Sequence, residues 1–183
     1  DLARRAARQF PSNGDLFFLE LATRSSVEDE ALVLRELEAR IDPQIEEATR
    51  MRTSLATRHL IRGDAVRALD VLGPGPPTGN RSANERWYDT KGMALAHPGD
   101  LPAVRRSYAE WARRGGNPKE RQARYALTLS IAGLADPDAS IISLLRAALA
   151  NTDGLIDEEL LEALATRLIL TLVDADEQQE ALA

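Results

Sequence analysis

Cysteine is absent from this sequence, and aromatic side chains make up only 4% of it. Without cysteine, the chain forms no disulfides, thiolate nucleophiles or cysteine-based metal sites. The longest apolar runs are also short, as at Leu168–Val173, which Thr171 interrupts. A membrane-spanning helix needs roughly 20 apolar residues, so the sequence predicts no membrane-spanning segment.

The abundant residues favour helices. Hydrophobic residues make up 44% of the 183 positions, which suits one ordinary domain or one elongated repeat array. Alanine, leucine, arginine and glutamate are strong helix formers. Between Ile141 and Leu149, apolar residues recur at positions 141, 142, 144, 145, 148 and 149, as on one face of a helix. No stretch shows the two-residue alternation of a strand, so we predict an all-α fold.

Aspartate–proline pairs and glycines mark the predicted helix ends. An acidic N-cap followed by proline suits a helix start, as at positions 42–43 and 136–137. Glycines predict helix stops at positions 63, 99, 115–116 and 154. The predicted helices span 2–9, 15–24, 27–40, 43–62, 64–72, 84–97, 101–114, 118–133, 137–150 and 156–173, with a further start at 177.

A Gly-Asp pair recurs 36 residues apart, at Gly63-Asp64 and Gly99-Asp100. A small residue precedes each pair by seven positions, and a small or branched residue follows its glycine by five. A large residue comes four positions later. These residues are Ala56, Ala68 and Leu72 around the first pair, and Gly92, Val104 and Tyr108 around the second. Because the first pair recurs in this frame, the Arg62-Gly63-Asp64 tripeptide is interpreted as a helix turn rather than a cell-adhesion signal.

This pattern resembles the tetratricopeptide repeat (TPR) family, whose helix–turn–helix units recur about every 34 residues. The resemblance implies that the small residue allows close helix packing and that the glycine closes the turn. It also implies an α-solenoid, a right-handed superhelix of antiparallel helix pairs, whose first helices line a concave face. We expect one array over 1–183, a piece of a larger bacterial TPR protein that begins and ends in mid-repeat. Its units are 1–11 (the end of a preceding unit), 12–42, 43–83, 84–116, 117–155 and an incomplete 156–183.

Charge is distributed unevenly along the chain. Residues 50–124 contain 15 basic and 7 acidic residues, a net +8, although the whole chain carries -6. In the repeat register, the residues predicted to face the concave groove are Arg50, Thr53, Thr57, Arg86, Asp89, Met93, Glu120, Ala123 and Leu127. Those predicted to form an outer basic surface are Arg105, Arg106, Arg113 and Arg114. Either surface would suit an acidic partner, although a solvated face balancing the acidic ends would show the same pattern.

Motifs for catalysis, cofactors or metals are weak. The glycine-rich stretch 73–79 lacks the Gly-Lys-Ser/Thr ending of a phosphate loop. His59 and His97 are the only histidines, and neither has a second ligand at helical spacing. Carboxylates cluster at 28–30 and 157–159, where they suit helix N-termini. We therefore predict no catalytic residues, no cofactor and no metal site.

These observations predict a non-catalytic scaffold that binds another protein or peptide, with an acidic partner favoured. Nucleic acid is not expected, because aromatics are few and the overall charge is negative. Two alternatives stay open. One is the periplasmic TPR arm of a bacterial outer-membrane exopolysaccharide exporter that recruits a modifying enzyme. The other is a TPR extension of a larger enzyme or regulator. The bacterial periplasm and the cytoplasm both remain open as compartments.

Overall fold

A computed structural model describes residues 2–25, 29–43, 47–73, 75, 81–151 and 158–174, with the side chains of 81–83 left aside. This part of the chain forms ten α-helices and no β-strand, so the all-α prediction is confirmed. The helices are α1 (Leu2–Gln9), α2 (Gly14–Ser25), α3 (Glu30–Glu38), α4 (Ala48–Ile61), α5 (Ala65–Leu72), α6 (Arg81–Ala96), α7 (Leu101–Arg113), α8 (Pro118–Ala132), α9 (Ile141–Ala150) and α10 (Glu158–Asp174).

The two Gly-Asp pairs form helix turns, as the sequence indicates. Gly63 and Gly99 have φ angles of 78° and 85°, a left-handed conformation that glycine adopts without strain. The following aspartates cap the next helices, since the Asp64 carboxylate accepts a bond from the Arg67 amide at 2.9 Å and Asp100 caps α7 likewise. The Arg62-Gly63-Asp64 tripeptide is therefore the turn between α4 and α5.

Two predicted helix starts are wrong. Helix α9 begins at Ile141 instead of 137, and the side chain of Ser140 caps it. Asp136 does not act as an N-cap, because its carboxylate accepts the Asp138 amide and binds side chains from two other helices. Helix α4 begins at Ala48, whereas Pro43 lies in a turn. The predicted stop at 154 and the predicted start at 177 lie outside the described residues.

The helices form two compact units, Asp1–Thr90 and Lys91–Ala183. In the first unit, α2 packs against α1, α3 and α4, and α4 packs against α3 and α5. In the second, α8 packs against α7, α9 and α10, and α9 packs against α10. Each unit thus contains helices that are consecutive in the chain and packed in pairs. The right-handed superhelix and the single array over 1–183 stay predictions.

The first unit is built around an apolar core to which α2, α3 and α4 contribute. Burial of these side chains supplies the main driving force for folding. The core residues are Phe17, Leu21, Val33, Leu34, Leu37, Met51 and Leu55.

A buried ion-pair network, the Glu20 network, lies beside this core and joins α2 to α3. Glu20 is 0% exposed, and Arg24 is 2% exposed. Arg24 donates to Glu20 Oε1 at 3.1 Å and to Glu36 Oε2 at 2.7 Å. Arg40 donates to Glu20 Oε2 at 2.7 Å. Both oxygens of the buried carboxylate are therefore bonded, which is the condition under which a buried charge is tolerated.

The second unit is built around a core to which α8, α9 and α10 contribute. Small residues of α8 let α9 and α10 approach closely. The core residues are Ala123, Ala126, Leu145, Ala148, Leu160 and Leu164.

Two glycines of the second unit make room for large aromatic side chains. A Cβ placed on Gly92 would lie 2.7 Å from Tyr108 Cε2. Tyr108 is buried, and its hydroxyl lies 2.9 Å from Thr128 Oγ1. Trp111 is buried against Gly116. The predicted role of the small residue at position 92 thus has a direct steric basis.

We expect Glu20→Gln to lower the free energy of unfolding by about 3 kcal/mol, the lower end of the range for a broken buried ion pair. Arg24 keeps Glu36 as a partner but loses the buried carboxylate that it shares with Arg40. Chemical denaturation measures the change. The control is Asp70→Asn, which removes a pair with Arg67 at 3.2 Å whose aspartate is 70% exposed. That pair should contribute no more than about 1 kcal/mol. Equal stability of the two variants would refute the structural role of the Glu20 network.

Gly92→Ala should destabilise the protein, although alanine alone raises helix propensity by about 1 kcal/mol. The added methyl would overlap the Tyr108 ring, and overpacking of this kind costs about 1–3 kcal/mol. We expect the upper end of that range, because the hydrogen bond to Thr128 holds the ring. Thermal unfolding measures the effect, and Ala109→Gly on the exposed face of α7 calibrates the propensity term. A higher melting temperature for Gly92→Ala would contradict the close packing.

Candidate partner-binding surface

Helix α7 separates an apolar face from a basic one. Its buried residues are Ala103, Val104, Ser107, Tyr108 and Trp111. Of the predicted outer basic surface, Arg105 and Arg106 fall between these positions, and Arg113 and the C-cap residue Arg114 follow them. Arg106, Arg113 and Arg114 are exposed. Because the apolar residues of α7 face the interior, helical periodicity places the exposed arginines on its solvent side.

Arg105 belongs to an ion-pair cluster, the Arg105 cluster, with Tyr125, Asp136 and Asp138. Its guanidinium pairs with Asp136 and lies 2.6 Å from Asp138 Oδ2. The Tyr125 hydroxyl donates to Asp136 Oδ2 at 2.6 Å. The cluster joins α7, α8 and the turn before α9. Two carboxylates therefore compensate the charge of Arg105 within the chain.

The cluster shifts the pKa values of its members. Burial, together with the hydrogen bond to Asp136, raises the pKa of Tyr125 from 10.0 to about 12. Burial alone would raise the pKa of Asp136, but hydrogen bonds from Tyr125, the Asp138 amide and Arg105 outweigh it and lower that pKa below 3.8. Hydrogen bonds to Tyr125 and Asp136 raise the pKa of Arg105. Each shift favours the state that the cluster needs: a protonated phenol, an ionised carboxylate and a charged guanidinium.

Not all the arginines of the outer basic surface are paired. Arg114 lies 3.3 Å from Glu110 Oε1, one helical turn earlier. Within the part of the chain that the structure describes, no carboxylate lies within ion-pairing distance of Arg106 or Arg113. Of the four predicted residues, two are therefore compensated by neighbours, and two have no carboxylate partner in the described ranges.

A groove of about 500 Å³ lies between α7 and α8. Arg121 lines it, and the one hydrogen bond of its guanidinium among the described residues is to the Gly116 carbonyl at 3.4 Å. The groove therefore combines small and aromatic side chains with a cation that has no carboxylate partner in the described part. Its lining residues are Arg105, Tyr108, Ala109, Ala112, Pro118, Arg121, Gln122 and Tyr125.

Five of the nine residues predicted for a concave groove lie in the first unit. Arg50 pairs with Asp15 at 3.2 Å and lies over the Phe18 ring at 4.6 Å. Thr53 is buried, so it offers no surface to a partner. The remaining three are Thr57, whose hydroxyl lies 3.5 Å from that of Thr90, the exposed Arg86 and the half-buried Asp89.

The other four predicted groove residues lie in the second unit. Glu120 accepts a bond from Arg124 at 2.9 Å. Ala123 is fully buried in the core, and Leu127 packs against that core. Met93 is half-buried. Since Thr53 and Ala123 are core positions, the predicted set mixes surface and interior residues, and a common groove stays a prediction.

The histidines lie in different surroundings. His59 is buried, and its Nε2 lies 2.6 Å from Glu38 Oε1. Arg67 also donates a hydrogen bond to Glu38, and this bond is the main cause that raises the pKa of Arg67. His97 is exposed. Across the described residues, no group of three or more histidine, aspartate or glutamate side chains is placed to hold a metal ion.

Sequence reasoning missed Tyr125, Asp136 and Asp138 as members of this surface. The Asp136-Pro137 pair carried the only signal, and it was interpreted as a helix start. An aspartate before proline can equally form a turn, in which one carboxylate oxygen accepts a nearby backbone amide and the other bonds a distant side chain. Which of the two occurs depends on Arg105, 31 residues earlier in the chain.

The chain matches no protein family model, and no curated protein or solved structure is significantly similar to it. The helices in the described part are too short or too polar for any of them to cross a membrane. The interpretation of the surface therefore depends on its own geometry and on the repeat pattern of the sequence.

We expect the Tyr125 phenol to titrate with a pKa of about 12. Because this pKa is raised, its stabilising effect is present below pH 10.0 and is lost as the pH rises through 12. In Asp136→Asn the pKa of Tyr125 should fall but stay above 10.0, since burial is the larger cause. Phenolate absorbance during alkaline titration measures the value, and Tyr125→Phe identifies the signal. An ordinary tyrosine pKa in the native protein would rule out the buried hydrogen bond.

Proposed function

We propose that this chain is a non-catalytic, TPR-like helical module that binds an acidic segment of another protein through the outer face of α7. The observation that carries the proposal is that Arg106 and Arg113 on this face have no carboxylate partner among the described residues. The repeated helix–turn units with glycine–aspartate turns support the TPR-like part of the proposal.

Ion pairing within the chain narrows the location of the surface. Much of the positive charge of residues 50–124 is compensated internally. Arg50 pairs with Asp15 and Glu47, while Arg58 and Arg62 pair with Glu30. A cation that pairs with a carboxylate of its own chain attracts an acidic partner less, because the neighbouring negative charge partly cancels its field. The net +8 of this region is therefore a poor measure of its binding surface.

Most of the remaining charge of the described residues lies on α7 and α8, while Arg52 of α4 and Arg86 of α6 also have no carboxylate partner among them. Arg106 and Arg113 lie seven residues apart, about two helical turns, and so project from the same side of α7. On α8, Lys119 and Arg121 likewise have no carboxylate partner among the described residues. Two arginines on one helix face, supported by two further cations on the next helix, suit a partner with several carboxylates.

Arginine suits this role for a physical reason. Its planar guanidinium bonds a carboxylate through two parallel N–H groups, and it is more weakly hydrated than an ammonium ion. Surface charges also raise the rate of encounter with an oppositely charged partner. Since salt screens such charges over about 10 Å at 0.1 M ionic strength, binding should weaken as the salt concentration increases.

The double variant Arg106→Glu/Arg113→Glu should abolish selection of acidic peptides from a displayed random library. The wild-type chain should enrich aspartate- and glutamate-rich sequences at low salt and fewer of them at high salt. The control is Arg5→Glu/Arg8→Glu, the same charge change at two exposed arginines of α1 without carboxylate partners among the described residues. Enrichment of the same acidic peptides on the double variant would overturn the proposed function.

A further inference from the structure

We propose that the groove between α7 and α8 binds an apolar side chain of the acidic segment, while carboxylates next to that side chain pair with Arg113 and Arg121. The inference rests on the proposed function and names the class of partner: an acidic peptide segment with an apolar anchor. The juxtaposition of a small-residue floor with unpaired arginines carries it.

The floor of the groove has space and an apolar character. Ala109 is exposed and Ala112 is half-buried, so two consecutive turns of α7 leave room above the helix. Tyr125 of α8 lies across the groove from them, and its ring centroid is 5.3 Å from that of the buried Tyr108 on α7. The volume of about 500 Å³ falls within the range of about 300–1,000 Å³ common for ligand pockets. An aliphatic side chain that entered the groove would therefore leave water and contact an apolar surface that is already formed.

Hydrogen bonds hold this floor in place. The Tyr108 hydroxyl lies 2.9 Å from Thr128 Oγ1, and the Tyr125 hydroxyl donates to Asp136. Both phenols are thereby satisfied within the chain and do not need polar groups from a ligand. A floor that is already ordered also costs little entropy on binding.

The two ends of the groove differ in charge. At one end, Asp136 and Asp138 compensate Arg105. One helical turn before Tyr125, Arg121 lines the groove without a carboxylate partner among the described residues. Arg113 is exposed at the end of α7, turned about 100° from Ala112, so it lies beside the groove and not among its lining residues. The apolar side chain therefore fits near Tyr125, and the carboxylates fit towards Arg113 and Arg121.

Other ligand classes fit less well. A basic peptide would meet like charges at Arg113 and Arg121. Single-stranded nucleic acid prefers exposed aromatic faces in a continuous basic track, whereas Tyr108 is buried and the Arg105 end of the groove contains two aspartates.

The first test compares labelled peptides on the full chain. The probe is Glu-Glu-Leu-Glu-Glu, and its binding is followed by NMR titration of the Ala109 and Ala112 methyl groups. Replacing the leucine by alanine should weaken binding at least about tenfold, and replacing the glutamates by lysine should abolish it. Absence of binding by the probe, or equal affinity of the alanine peptide, would overturn the inference. Displacement of the probe by oligothymidylate would overturn it in favour of a nucleic-acid site.

The second test fills the groove. Ala109→Trp should weaken binding of the probe at least about tenfold, because the indole would occupy the space of the anchor. The matched control is Ala163→Trp, at an exposed alanine of α10, which should leave the affinity unchanged. Circular dichroism should show the same helix content for both variants.

The two proposals fail separately. If Arg106→Glu/Arg113→Glu abolishes acidic-peptide selection but Ala109→Trp leaves probe affinity unchanged, the proposed function stands and the groove inference is wrong. If neither variant has an effect, both are wrong. Both proposals are supported if Arg106→Glu/Arg113→Glu loses acidic-peptide selection and Ala109→Trp loses probe affinity. The controls Arg5→Glu/Arg8→Glu and Ala163→Trp should then behave like the wild-type chain.

Discussion

The hydrogen bond from Tyr125 to Asp136 is the interaction on which the surface of the second unit depends. It holds the Asp136 carboxylate against α8, where the same carboxylate pairs with Arg105 of α7. This arrangement compensates one arginine of α7 and leaves two others open. It also fixes the tyrosine ring that lines the groove. A single local contact thus sets both the shape and the charge distribution of the candidate binding surface.

The first unit uses the same chemistry for a different purpose. The Glu20 network places a carboxylate and a guanidinium in the interior, where they join helices and are closed to solvent. At the outer face of α7, by contrast, Arg106 and Arg113 are exposed and have no carboxylate partner in the described part. An arginine therefore stabilises the fold or remains available to a partner according to its distance from the nearest carboxylate. The net charge of a sequence segment does not give this distance.

Much of the secondary structure was predictable from the sequence because its signals are local. Gly63 and Gly99 end helices since the turn requires positive φ, and Asp64 and Asp100 cap the next helices within three residues. The start assigned to Asp136 was wrong because a distant arginine and tyrosine compete for its carboxylate. Thr53 and Ala123 were assigned to a groove from the repeat register, but packing placed them in the interior.

The sequence by itself determined the helical class, most helix ends and the close approach that Gly92 permits. Each of these depends on backbone preferences or side-chain size over a few residues. Only the tertiary structure decided which arginines are available to a partner. Asp15, Glu30 and Asp136, which pair with Arg50, Arg62 and Arg105, lie 35, 32 and 31 residues from them in the chain. Ion-pair energy depends on separation in space, and folding sets that separation.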